Sequence, residues 1–151
     1  MNASNYIAIV AAAIALATLW KSITEYIRQG STKRAEQFIE MRSRLRGNPR
    51  FVNLCELLET DSPALRTVPL LDKDNFIGFF EELTLLWNSM VFNDEIVYYM
   101  FGYYALRCHK SENFWSDLNR NQIQWAHFND FVKRLEDIES SYKPSRRRFH
   151  L

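Results

Sequence analysis

The fold class is decided by residues 76–90, which read FIGFFEELTLLWNSM. The apolar positions recur at intervals of three and four residues, and they are Phe76, Phe79, Phe80, Leu83, Leu86, Trp87 and Met90. The remaining side is polar and carries Glu81, Glu82, Thr84 and Asn88. This period is typical of an amphipathic helix that turns its apolar face to a core.

The same period extends upstream of this stretch. Residues 33–46 predict a helix that ends at the GNP sequence of residues 47–49, after an interruption at the GST sequence of residues 30–32. A short third helix follows, with apolar positions at Phe51, Leu54, Cys55 and Leu58. Two prolines between residues 61 and 69 then indicate a connecting loop.

Helical spacing also continues downstream. Asn93 or Asp94 is placed to cap a helix that runs to Cys108, residues 111–118 predict a short helix, and a last helix begins near Asn121. No segment alternates with a period of two residues over a useful length. The sequence therefore predicts an all-α domain, most simply a bundle of four or five helices.

Length and composition exclude several classes of protein. The chain has 151 residues, 47% of them apolar, with only four Gly and four Pro, so a large multidomain enzyme and a disordered or fibrous chain are excluded. A formal net charge of +1 is too balanced for a surface that grips nucleic acid everywhere. Cys55 and Cys108 make no disulfide framework and fit no metal spacing, which favours a reducing compartment.

The amino terminus predicts membrane attachment. Residues 1–20 contain no charged side chain, and residues 7–20 read IAIVAAAIALATLW. Twenty helical residues reach about 30 Å, which is the thickness of a bilayer's hydrocarbon core. A cleavable signal peptide is the alternative, since residues 15–17 read ALA, but no basic residue precedes the apolar run. We therefore expect one transmembrane helix with a juxtamembrane extension over residues 1–30.

Basic residues predict the orientation of this helix. Lys21, Arg28, Lys33 and Arg34 follow the apolar run and none precedes it. The positive-inside rule then leaves the amino terminus outside a bacterial inner membrane, with a helical domain (31–142) and a basic tail (143–151) in the cytoplasm. Anionic lipid could also attract this basic juxtamembrane cluster.

Small residues recur at four-residue spacing within the predicted span. The pairs include Ala8 with Ala12 and Ala11 with Ala15. Such spacing allows two membrane helices to approach closely, so it favours a homo-oligomer, although an ordinary single anchor can also be rich in alanine.

Few residues indicate chemistry. The sequence contains no phosphate-binding loop, dinucleotide fingerprint, zinc-protease motif or serine-hydrolase elbow, so we expect no cofactor, no metal and no enzyme of these classes. The acidic pair Glu81-Glu82 is most simply a solvated helix face. Cys108 and His109 diverge by about 100° on a helix, which favours a buried cysteine beside a surface histidine.

One constellation resembles a known motif. Arg120, Asn121 and, six residues after it, His127 lie near the start of the predicted last helix. The spacing resembles the loose form of the motif of the HEPN ribonuclease superfamily. That resemblance implies that arginine and histidine from two protomers would act on an RNA phosphodiester, with imidazole moving protons and guanidinium stabilising charge. A local hydrogen-bonding role at a helix start is the alternative.

A wider resemblance covers residues 35–139. The sequences FFEELTLLW (79–87) and VFNDEIVYYMFGYY (91–104), with Trp115, Arg120 and Phe131, are similar to a group of small bacterial proteins that have one membrane helix and a helical cytoplasmic domain. Their architecture is similar to membrane effectors of anti-phage systems, including CRISPR-associated proteins that respond to RNA or cyclic nucleotides.

These observations lead to three functional hypotheses. The first is an oligomeric membrane effector or accessory protein of bacterial defence, which perturbs the membrane or forms a pore on a nucleic-acid or nucleotide signal. The second is a scaffold that tethers a cytosolic protein partner without activity of its own. The third, an RNA-cleaving enzyme, depends on Arg120 and His127 alone.

Overall fold

The computed structural model describes the backbone of residues 3–141 and the side chains of residues 11, 12 and 14–141. Every regular element in that part is helical, which confirms the predicted all-α class. The α-helices are α1 (Ala3–Gly47), α2 (Pro49–Glu59), α3 (Leu70–Asn88), α4 (Asp94–Val97), α5 (Tyr103–Lys110) and α6 (Ala126–Ser141). Two 3₁₀ helices (Pro63–Thr67 and Ile123–Trp125) and a π turn (Tyr98–Gly102) complete the order.

The chain divides into two compact units, Met1–Ile39 and Glu40–Leu151. The predicted limits at residues 30 and 142 stay predictions, and the basic tail (143–151) lies outside the described residues.

The predicted break at residues 30–32 is wrong, because α1 continues through it. The hydroxyls of Ser31 and Thr32 both donate to the carbonyl of Arg28, at 2.8 and 3.1 Å, so their hydrogen-bonding capacity is met inside the helix. A single glycine inside a helix costs only about 1 kcal/mol, and Gly30 is tolerated at that cost.

The predicted transmembrane span is not confirmed. Over the part of the chain searched, which omits the side chains of residues 3–10 and 13, no helix is long and apolar enough to cross a membrane. The start of the apolar run, with Ile7 and Ala8, lies outside the described side chains. From Ile14 onward the helix soon reaches Lys21, Glu25 and Arg28, whose charges lower the hydropathy of any long window.

Helix α3 forms the centre of the second unit. It packs against α6 and α2, and α5 packs against the same two helices. The predicted core positions Phe76, Phe79, Phe80, Leu83 and Trp87 are all buried, as are the four predicted positions of α2. The aromatic rings meet edge to face, as between Phe76 and Phe80 with centroids 5.2 Å apart, which stabilises the pair beyond simple burial.

Two features of α3 differ from its sequence pattern. Met90 is 85% exposed, because α3 ends at Asn88 and Met90 adopts a left-handed φ of 57° in the following turn. Thr84 and Lys73, both polar, are instead buried. The Thr84 hydroxyl donates to the Phe80 carbonyl at 2.7 Å, so its burial leaves no unpaired group.

The helix boundaries were predicted with mixed success. Asn93 caps α4 as expected, and its side chain accepts from the N–H of Ile96 at 2.8 Å. Asn48, which was predicted only to end the preceding helix, also caps α2. Residues 111–118 form turns and no helix, because the Ser111 hydroxyl bonds Asp61 and accepts from the Phe114 N–H. The last helix begins at Ala126, after the 3₁₀ helix.

Candidate functional site

A groove lies where the end of α2, the π turn, α5 and the end of α6 come together. Its volume is about 550 Å³. We call it the tyrosine groove and define it by Tyr98, Tyr99, Tyr103, Arg107, Lys110 and Ser111, with the carboxylates of Asp61 and Glu139 at its rim. A groove of this size suits a small organic ligand, since such sites usually measure 300–1,000 Å³.

The π turn shapes this groove. It occupies Tyr98–Gly102 between α4 and α5, and π turns are frequent at functional sites. A side chain at position 102 would place its Cβ only 3.3 Å from the Tyr98 ring and 3.4 Å from Leu135 of α6. Glycine therefore allows the π turn to approach α6 closely while the tyrosines line the groove.

A second set of contacts fixes the opposite wall. Asp61, which follows α2, has a left-handed φ of 46°, and its carboxylate accepts from the Ser111 hydroxyl. Its backbone carbonyl accepts from the Asn113 side chain at 2.7 Å. These bonds hold the turn after α2 against the segment that follows α5.

Two cations belong to the groove. The Arg107 Nη1 donates to the carbonyls of Leu58 and Glu59, at 3.4 and 2.7 Å, and so satisfies the end of α2. Its guanidinium lies 4.9 Å from the centroid of the Tyr103 ring, within cation–π range. Lys110 is exposed and makes no ion pair with any residue of the described part of the chain.

The structure gives Arg120 and His127 different neighbours. Arg120 lies over the Trp115 ring at 5.6 Å, and its carbonyl accepts from Asn129 at 3.1 Å. Burial lowers the pKa of the His109 imidazole, and the charge of Arg120 lowers it further. The charge of Arg120 thus influences the pKa of His109, whereas His127 is exposed on the first turn of α6.

Asn121 is exposed in the turn before the 3₁₀ helix, where its N–H donates to the Asn119 side chain at 3.1 Å. This bond uses the Asn121 backbone and not its side chain. The HEPN interpretation, which needs two protomers, stays a prediction.

Glu81 is a residue whose role the sequence did not indicate. Its carboxyl lies near the Phe128 N–H in the first turn of α6, where a negative charge is favourable, and its Oε1 has no hydrogen-bond partner among the described residues. Burial raises the pKa of this carboxyl, although the Phe128 N–H and the charge of His127 lower it. Because α3 packs against both α2 and α6, its buried surface is wider than one amphipathic face, and Glu81 lies at the edge of it.

The cysteines are unsuited to nucleophilic chemistry. Burial raises the pKa of the Cys55 thiol to about 12 and also raises that of Cys108 well above its ordinary value. A thiol that stays protonated near neutral pH is a poor nucleophile. Cys108 is buried as expected, while His109 is half-buried rather than on the surface.

No cluster of three or more metal-ligating side chains occurs among residues with described side chains. Basic residues of the first unit are exposed, and one of them, Arg28, pairs with Glu25 at 3.0 Å. Lys21, Lys33 and Arg34 are the other members of the predicted juxtamembrane cluster.

An apolar stripe follows one face of α1. At 100° per residue its members fall within an arc of about 120°. They are all exposed, and they are Leu16, Leu19, Trp20, Ile23, Tyr26 and Ile27. The opposite face carries Lys21, Ser22, Glu25, Arg28 and Gln29.

Over residues 16–29 the helix thus presents large apolar side chains on one side and charge on the other, whereas Ile14, which is also exposed, lies on the charged side. Ala11, Ala12 and Ala15 are also exposed, whereas Ala8 lies outside the described side chains.

No protein-family model, no curated protein and no solved structure matches this chain.

Proposed function

We propose that this protein is a membrane-tethered oligomeric effector or adaptor, whose first helix enters the cytoplasmic membrane and whose helical unit receives a signal in the cytoplasm. The apolar stripe of α1 carries the proposal. The helix exposes Leu16, Leu19, Trp20 and Ile23 together, and a contiguous exposed apolar surface marks an interaction site. Because residues 7–20 carry no charge, lipid is the partner that fits this surface best.

The flanks of the stripe support the same environment. Trp20 and Tyr26 have the amphipathic rings that concentrate at membrane interfaces. Lys21 and Arg28, on the opposite face, lie where anionic headgroups would attract them. Because the basic residues follow the apolar run, the positive-inside rule supports a cytoplasmic position for them.

We propose that the helical unit acts by binding. Both cysteines are buried with raised pKa values, which makes them poor nucleophiles. The tyrosine groove, by contrast, presents aromatic rings and a cation to solvent. A role in bacterial defence rests on the architectural resemblance described above.

Membrane attachment is tested with a charge placed in the stripe. A carboxylate in place of Leu16 costs about 3 kcal/mol on insertion, which corresponds to a loss of roughly 100-fold in membrane partitioning. Gln29→Glu adds the same charge on the polar face and serves as the control. We expect the wild type and Gln29→Glu to sediment with membranes after a high-salt wash, and Leu16→Glu to be largely lost from them.

The high-salt wash separates this proposal from simple attraction between basic residues and lipid, which salt screens. A wild-type chain that leaves the membrane in high salt, or a Leu16→Glu variant that sediments as the wild type does, would contradict attachment through the stripe.

Oligomerisation is tested through the small residues of α1. Replacing Ala12 and Ala15 by leucine should change the mass of the detergent-solubilised complex without loss of membrane insertion, because leucine inserts at least as well as alanine. A wild-type chain that is monomeric at micromolar concentration in several mild detergents argues against an oligomer.

The ribonuclease hypothesis is the competing function. The binding proposal expects no metal-independent RNA degradation by the purified chain. Degradation that His127→Ala abolishes would favour the enzyme instead.

A further inference from the structure

We propose that the tyrosine groove binds a nucleotide unit, with the base against Tyr99 and Tyr103 and the phosphate at Lys110 and Arg107. This inference does not depend on membrane attachment, because every residue that carries it belongs to the second unit. The nucleotide could be free or could be part of a short single-stranded RNA.

Aromatic surface is the first argument. The side chains of Tyr99 and Tyr103 are 73% and 51% exposed, which is unusual for large apolar rings beside a well-packed core. The ring of Tyr103 is held in place by Arg107 on its face and by the Tyr104 ring, whose centroid lies 5.1 Å away. A fixed, exposed aromatic ring can stack against any of the nucleic-acid bases.

Cationic donors are the second argument. Lys110 is exposed, at the end of α5, with its ammonium group available to an anion. Arg107 uses Nη1 for the carbonyls of α2, and its Nε and Nη2 make no hydrogen bond within the described part of the chain. A guanidinium whose position is already fixed by two carbonyls loses little entropy when it binds phosphate.

The carboxylates that line the groove indicate which class of anionic ligand it would bind. The Glu139 carboxylate accepts from the Tyr98 hydroxyl at 3.4 Å, and Asp61 accepts from Ser111. Each carboxylate retains capacity for a further donor. Ribose hydroxyls and the exocyclic amines of bases are such donors, whereas an acidic peptide would meet these carboxylates with like charge. The mixture of two cations and two anions therefore fits a nucleotide unit better than an acidic peptide.

The test uses the full chain in mild detergent and measures equilibrium binding by calorimetry. The probes are the four nucleoside monophosphates, adenosine, inorganic phosphate and a tetranucleotide of RNA. We expect saturable binding of at least one monophosphate or of the tetranucleotide, and weaker binding of adenosine and inorganic phosphate, because each contains only half of the recognised chemistry. Which of the two nucleotide forms binds more tightly identifies the source.

Variants locate the site. Tyr99→Ala and Lys110→Ala should each weaken binding at least tenfold, and Tyr99→Phe should retain it, because stacking needs the ring and not the hydroxyl. Lys133→Ala removes an exposed lysine that does not line the groove, and this control variant should bind as the wild type does.

Three results would overturn the proposal. They are no binding of any nucleotide at millimolar concentration, binding of inorganic phosphate as tight as that of the best monophosphate, and equal loss of affinity in the Lys133→Ala control. A Tyr99→Ala variant that fails to fold leaves Lys110→Ala as the decisive variant, since Lys110 is exposed and its loss does not disturb the core.

Discussion

The ion pair between Lys73 and Asp117 offers the sharpest prediction about stability. The Lys73 side chain is fully buried on α3, and its ammonium donates to the Asp117 carboxylate at 2.5 Å. The Phe114 ring lies 5.6 Å from the same nitrogen. Asp117 belongs to the turns between α5 and α6, so this pair fastens that segment to the core.

Asp117→Asn would remove the negative charge and leave a buried ammonium with a neutral partner. Breaking a buried pair by removal of one partner costs about 3–5 kcal/mol. The Asp117 side chain is 36% exposed, so solvent screens part of the effect, and we expect the lower end, about 3 kcal/mol. That is a large fraction of the 5–15 kcal/mol that stabilises a typical domain.

The assay is urea unfolding of the full chain in mild detergent, followed by tryptophan fluorescence. With a urea dependence of about 1–3 kcal/mol per molar, a loss of about 3 kcal/mol lowers the midpoint by roughly 1–3 M. The control is Glu82→Gln, which breaks an exposed pair between Arg44 and Glu82 and should cost at most about 1 kcal/mol.

A second variant tests the cause. Lys73→Met combined with Asp117→Asn removes both charges, so most of the lost stability should return, because an apolar side chain of similar length replaces the buried ammonium. If Asp117→Asn shifts the midpoint no more than Glu82→Gln does, or if the double variant recovers nothing, desolvation of the Lys73 charge is not what makes this pair important.

Three further results are expected. The raised pKa of Glu81 means that the folded state holds its proton more tightly than the unfolded state, so its contribution to stability is full below pH 4.5 and falls as pH rises through the folded-state pKa. Glu81→Gln, which has a similar shape and cannot ionise, should flatten that fall in urea titrations between pH 4 and 7, and an unchanged slope would contradict the burial argument. Gly78→Ala should raise the free energy of unfolding by about 0.5–1 kcal/mol, since its Cβ meets no atom within 4 Å, whereas Gly102→Ala should gain nothing; equal gains would show that the π turn does not need glycine. Cys55 and Cys108 should resist iodoacetamide at pH 8 until urea unfolds the chain, and rapid modification of the native chain would contradict their burial.

Periodicity predicted the parts of the fold that depend on local sequence. The apolar spacing of α2 and α3 identified most of their buried positions, and Asn93 was recognised as a cap, because these signals act within one or two helical turns. The helix break predicted at residues 30–32 was wrong. The hydroxyls of Ser31 and Thr32 donate to the Arg28 carbonyl within α1, so these residues are as compatible with a helix as with a turn.

The site depends on contacts between distant segments, which no local pattern contains. Ser111 was assigned to a helix, yet its bond to Asp61, fifty residues earlier, organises turns instead. Lys73 carries a charge that suggests the surface, and only the position of Asp117 explains its burial. The tyrosines near residue 100 were predicted only to lie within a helix that runs to Cys108, and the π turn is what places Tyr99 and Tyr103 at the groove.

Membrane topology is the measurement that decides whether the first helix tethers this protein. Asn2→Cys and Ser145→Cys each introduce one thiol, while Cys55 and Cys108 are buried and give little background. With a membrane-impermeant thiol reagent on intact cells, we predict labelling of Asn2→Cys, and labelling of Ser145→Cys only after the cells are opened. Labelling of Ser145→Cys from outside, or recovery of the wild-type chain free of membranes, would contradict the proposed tether.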